Sequence, residues 1–72
     1  MNARHFNHEK LKALRLKKGE TQEQVAKALG VHRQTVYRAE SGQDIPYELL
    51  CDLATHYEVE VVTLLYREPK AA

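Results

Sequence analysis

Between Thr21 and Gly42 the chain reads TQEQVAKALGVHRQTVYRAESG, in which small Ala26 stands four positions before Gly30, among apolar Val25, Leu29, Val31 and Val36. The apolar positions recur at intervals of three and four on either side of Gly30, so two short helices meet there. Thr21 and Gln24 open the first as a capping box, each side chain satisfying a backbone amide of the first turn. Gly30 sits where a left-handed residue stops a helix. The two helices form an αα corner. Ala26 falls where they approach closely, and a larger side chain would hold them apart. Val31 plugs the corner, while Val36 and Ala39 anchor the following helix from below.

Helical signals dominate the rest of the chain, and period-2 alternation is confined to EVEVV, Glu58 to Val62. An all-α domain of five helices follows. The first, about Asn7 to Lys18, turns Leu11, Leu14 and Leu16 inward, takes Asn7 as N-cap and ends at Gly19 after two lysines that suit a helix C-terminus. The third runs from about His32 to Ser41 and stops at Gly42. Pro46 fits the first turn of the fourth, where its missing N–H has no intrahelical partner anyway. Leu49, Leu50, Leu53, Ala54 and Tyr57 supply that helix's core stripe. A last helix near Glu60 to Leu65 brings Val61 or Val62, Leu64 and Leu65 inward. Residues 1–6 are expected as a flexible tail, residues 7–66 as the domain, and residues 67–72 as a second tail.

A chain of 72 residues allows one compact core and no two-lobed catalytic cleft. The single cysteine, Cys51, cannot form an internal disulfide, and no apolar run approaches the roughly 18 residues of a membrane span. No apolar segment of signal-peptide type follows Met1. A soluble, cytoplasmic protein without membrane association is the expectation. Net charge is only +1, but it is unevenly distributed. Up to Gly42 nine basic residues face four acidic ones, a net +5, whereas from Gln43 onward two face six, a net −4. Such asymmetry suits a polyanion-binding half joined to a half of another kind.

Small Ala26, Gly30 and the apolar positions around them resemble the helix-turn-helix of the lambda-repressor-like (Cro-type, xenobiotic-response-element) DNA-binding family. LKALRLKKGETQEQVAKALGV is similar to that family's first two helices, ESG to its ending of helix three, and LCDLATHYEVEVVTLL to its fourth and fifth helices. The resemblance covers about Leu11 to Leu65. It implies a compact five-helix domain, double-stranded DNA as partner and no enzyme activity or cofactor.

The residues themselves agree with that implication. At about 100° per residue, with Arg33 at zero, Tyr37 falls near 40°, Gln34 near 100° and Arg38 near 140°, opposite Val36 near 300° and Ala39 near 240°. Lysine and glutamate suffice for a merely solvated face. Arginine, by contrast, can fork onto guanine O6 and N7, and glutamine can bond adenine N6 and N7. Arg33, Gln34 and Arg38 match the family's base-reading positions, and His32, Thr35 and Tyr37 would lie near the phosphate backbone. Gln22 matches a phosphate-binding glutamine at the start of helix two, where free N–H groups and the positive dipole end attract an anion. Thr21, Ser41, Lys12 and Lys18 join the phosphate set. Arg15 and Glu40 match an ion pair that ties helix one to the end of helix three.

Some positions depart from the family's pattern. Glu20 occupies a usually apolar site, His32 replaces the usual hydroxyl N-cap, Ala39 is smaller than the common residue, and Gln43-Asp44 lacks the basic residues often found before Pro46. His5 and His8 have a spacing that could hold a metal, but no cysteine or carboxylate cluster completes a tetrahedral set, so no metal site is expected. Cys51 and His56 point to different sides of one helix and make no catalytic pair.

Symmetric DNA sites pair with symmetric proteins. EVEVVTLLY is therefore the candidate homodimer surface, with Val62, Leu65 and Tyr66 as contacts. A transcriptional regulator, most simply a repressor on a palindromic operator, is the expected function. The antitoxin of a toxin–antitoxin operon and the controller of a restriction–modification system use the same fold in the same DNA-binding role. A protein-interaction module that grips a toxin or polymerase subunit with the same helix is the alternative from another class.

Overall fold

The computed structural model describes residues 2, 3 and 6–65. Five helices, α1 (His8–Lys18), α2 (Gln22–Leu29), α3 (Arg33–Glu40), α4 (Tyr47–His56) and α5 (Val61–Leu65), make the fold all-α. Strands β1 (Asn2–Ala3) and β2 (Ile45–Pro46) pair antiparallel, with Asn2 opposite Pro46 and Ala3 opposite Ile45.

The helix ends are set by local chemistry. Asn7 Oδ1 accepts the Lys10 amide at 3.1 Å and starts α1. Both bonds of the Thr21–Gln24 capping box are present, at 2.8 and 3.1 Å. Gly30 ends α2 with φ 69°, a left-handed conformation that an L side chain adopts at a cost of roughly 1–2 kcal/mol. The Val31 amide then bonds the Ala26 carbonyl at 2.9 Å, which turns the chain into α3. At the corner Val25, Ala26, Val36 and Ala39 are buried, with Leu29 and Val31 partly buried against them. The α4 stripe is wholly buried, from Leu49 through Tyr57.

Several expectations are corrected by the structure. The N-terminal segment is not a loose tail at the positions described, because Asn2 and Ala3 pair with β2 and Phe6 is only 2% exposed. A core this small gains from any aromatic it can reach, and burying Phe6 contributes about 1.5–3 kcal/mol. The Asn7 amide bonds the Leu64 carbonyl at 2.6 Å, so the start of α1 is tied to α5. Leu16 does not turn inward; it is 59% exposed, about 140° around α1 from buried Leu11. Pro46 stands one position before α4, as its N-cap, with its backbone in β2. On α5 Leu64 is buried and Val61 packs on the core, whereas Val62 and Leu65 face outward. Residues 67–72 and Tyr66 lie outside the described residues.

Candidate functional site

Helix α3 presents Arg33, Gln34, Tyr37 and Arg38 to the outside, opposite buried Val36 and Ala39. Among the described residues Tyr37, 54% exposed, is the one aromatic among the large hydrophobic side chains left uncovered, the others being Leu16, Val62 and Leu65. Gln22 from the start of α2 joins His32, Arg33, Gln34 and Tyr37 around a cavity of about 400 Å³. The structure thus brings together the start of α2 and the first two turns of α3. At the start of α2 the first-turn amides have no intrahelical acceptor and point outward with the positive end of the helix dipole.

His32 caps α3, though weakly. Its Nδ1 accepts the Gln34 amide at 3.4 Å, beyond the usual range for N–H donors, while its backbone carbonyl accepts from Thr35 at 2.9 Å. Thr35 is half-buried beneath the exposed face. The Ser41 hydroxyl donates to the Tyr37 carbonyl at 2.8 Å and keeps its lone pairs for another donor. An anion needs donors, so this bond removes the hydroxyl proton a phosphate would use.

Beneath this face, the expected Arg15–Glu40 pair is present and nearly dry. Arg15 Nε and Nη2 donate to the two carboxylate oxygens of Glu40 at 2.7 and 3.1 Å, with the side chains 10% and 5% exposed. Arg15 Nη1 also donates to the Glu20 carbonyl at 2.9 Å. The bond to Glu40 holds the Arg15 guanidinium above its ordinary pKa against the opposing effect of burial. Gln22 Nε2 donates to Glu40 Oε1 at 3.2 Å, so the glutamine at the start of α2 is aligned by the same carboxylate. One buried anion therefore links α1, α2 and α3.

Two participants, His8 and Glu20, were not legible from the pattern of residues, and one expected residue, Lys18, is engaged elsewhere. His8, considered above only with His5 for a metal, directs Nδ1 at the Glu40 carbonyl, 3.1 Å away; His5 lies outside the described residues. Glu20, where an apolar staple is usual, accepts from His56 Nε2 at 2.8 Å, which joins the α1–α2 turn to the end of α4. Lys18, placed with the phosphate set, donates to the His56 carbonyl at 3.1 Å. It lines a separate cavity of about 350 Å³ with Leu14, Tyr57 and Val59 rather than the face of α3. Lys12 remains exposed on α1. The Tyr57 hydroxyl is buried with no hydrogen-bond partner among the described residues. Burial, reinforced by the carboxylates of Glu40 and Glu20, pushes this phenol up to about 12.

Among the described residues no group of three or more His, Cys, Asp or Glu side chains could hold a metal ion, and no helix is long and apolar enough to cross a membrane. A family model described as helix-turn-helix matches residues 11–64. No curated protein and no solved structure matches the chain.

Proposed function

Because the chain belongs to the lambda-repressor-like helix-turn-helix family of DNA-binding regulators, we propose that it is a repressor whose α3 reads base edges in the major groove of a palindromic operator. The observation that carries this reading is the outward row of Arg33, Gln34, Tyr37 and Arg38 on a helix whose far end is locked through Glu40. Arg33, Gln34 and Arg38 supply donors suited to guanine and adenine edges. The amides at the start of α2, with Thr21, Gln22 and His32 around them, hold one phosphate and thereby the register of α3 on the duplex. Lys12, Thr35 and Tyr37 extend the backbone contacts, Ser41 drops out of that set because its hydroxyl proton is held by the Tyr37 carbonyl, and the net +5 of residues 1–42 attracts the duplex at long range. Lys18, engaged by α4, contributes least.

Two copies act together in this proposal. Val62 and Leu65, 57% and 38% exposed on α5, are apolar groups that the monomer leaves in water, and they support a symmetric contact through that helix. Selection of bound duplexes from a random pool tests the whole reading at once. An enriched inverted repeat with guanine or adenine at fixed positions is the expected outcome. Enrichment of a single unrepeated site removes the palindrome, and binding that is indifferent to sequence and to salt removes base reading by α3.

A further inference from the structure

Helix α1 reaches Glu40 at two separate points. Arg15 takes the carboxylate, and His8, seven positions earlier and therefore on nearly the same face of α1, takes the backbone carbonyl at 3.1 Å. The carbonyl can only accept, so the imidazole proton sits on Nδ1. This carbonyl is one of the last in α3, where no intrahelical amide follows. The neighbouring carbonyls are already served: Tyr37 accepts from Ser41 at 2.9 Å, Arg38 from Gln43 at 3.1 Å and Ala39 from Gly42 at 3.3 Å. His8 completes the set.

The ring is also held in place from its flanks. Gly42 has φ 83°, and a Cβ built there would come within 2.9 Å of His8 Cδ2 and 3.1 Å of Nε2. Phe6 meets the ring edge-on, with centroids 6.4 Å apart. Gly42 thus serves twice, since it turns the chain out of α3 and leaves room for the imidazole.

The geometry points to His8 as a positioning residue for α3, one that sets base discrimination without touching DNA; this rests on the reading of α3 as the base-reading helix. Val36 and Ala39 hold α3 on the core, but the carboxylate of Glu40 is attached to the helix through rotatable bonds, so Arg15 fixes the position of its C-terminal end only loosely. A bond to the backbone of the same residue fixes that end directly. Base-edge hydrogen bonds need donors held within about 0.5 Å, so a small tilt of α3 is felt in discrimination before overall attraction to the duplex changes.

The test uses the full chain with His8→Ala and His8→Asn, because an asparagine Nδ2 stands where imidazole Nδ1 does. Amide exchange at Ser41, Gly42 and Gln43 is read without DNA, and the ratio of affinities for a selected duplex and its singly substituted partner is read across a salt series. His8→Ala is expected to speed exchange and to lower the discrimination ratio, each by about five- to tenfold, the range one hydrogen bond supports. The salt slope should stay unchanged and His8→Asn should recover both readouts. Equal weakening on every duplex, or no recovery in His8→Asn, overturns the proposal. Should His8→Ala not fold, His8→Asn alone decides by the same criteria: wild-type-like readouts support the proposal and loss of discrimination overturns it. If the wild-type chain shows no duplex preference, base reading by α3 fails and the clamp on α3 is judged by exchange alone, where a rate unchanged in His8→Ala removes it.

Discussion

His32 shows how one position can serve two demands at unequal quality. At 3.4 Å its Nδ1 is a poor cap for α3, so His32→Ser should raise stability by about 0.5–1 kcal/mol in urea unfolding, as a hydroxyl reaches the first-turn amide better. An unchanged midpoint would show that the imidazole caps as well as serine. Arg33 is judged by specificity rather than stability. Arg33→Ala should reduce discrimination at one guanine by about 1–3 kcal/mol, and uniform loss across duplexes would make Arg33 a phosphate contact instead. Tyr57 carries a pH dependence. Its phenol is pushed up to about 12, whereas the unfolded chain titrates near the ordinary 10.0. The folded state therefore keeps a proton that the unfolded state has released. Stability from this group is intact below about pH 10 and falls by roughly 2–3 kcal/mol as pH rises through 12. Urea unfolding of wild type and Tyr57→Phe at pH 8 and 11 should show a shallower alkaline loss in the variant, and equal slopes would contradict the assignment.

At the scale of elements, the link between α1, α2 and α3 is a buried carboxylate with three donor groups on its oxygens, two from Arg15 and one from Gln22. Arg15→Met should cost about 3 kcal/mol or more, because Glu40 is then left buried with a neutral amide as its remaining donor. Arg15→Met combined with Glu40→Met should cost less than Arg15→Met alone, and a doubly substituted chain as unstable as the sum of the two single changes would argue against a coupled pair. Capping motifs were readable here: Asn7, Thr21-Gln24 and Gly30 are local signals that act within one turn of helix. The boundary at Pro46 was less so. Proline suits both the first helical turn and the position before it, and pairing of Pro46 with Asn2, far off in sequence, decides between them.

Over the whole molecule, the separation of charge gives the corner-bearing half a net +5 and the remainder −4, so electrostatic attraction to a polyanion is confined to the first half. Leu65→Glu should move the sedimentation profile toward monomer if α5 is the contact between copies, and an unchanged profile would remove that interface. Apolar residues of α5 could all have belonged to the monomer core. Leu64 does, at 0% exposed, whereas Leu65, the next residue along, stands 38% exposed. Phe6 marks the opposite failure. Alone in a polar stretch it has no periodic partners, and only the packed core shows it to be part of the interior.

The sequence by itself determined the five helices, the corner at Gly30 and the polar row on α3, because each is written in spacings of a few residues and in side chains that act on their own backbone. Pairing of Arg15 with Glu40 came from family resemblance and was then seen in the structure as a buried two-pronged contact. Only the tertiary structure decided that Phe6 is core, that Lys18 is bound to the end of α4, that Glu20 meets His56 and that His8 meets the Glu40 carbonyl. Those contacts join residues 32 to 38 positions apart in three of the four cases. No local periodicity encodes such a distance, and it is set when the helices pack.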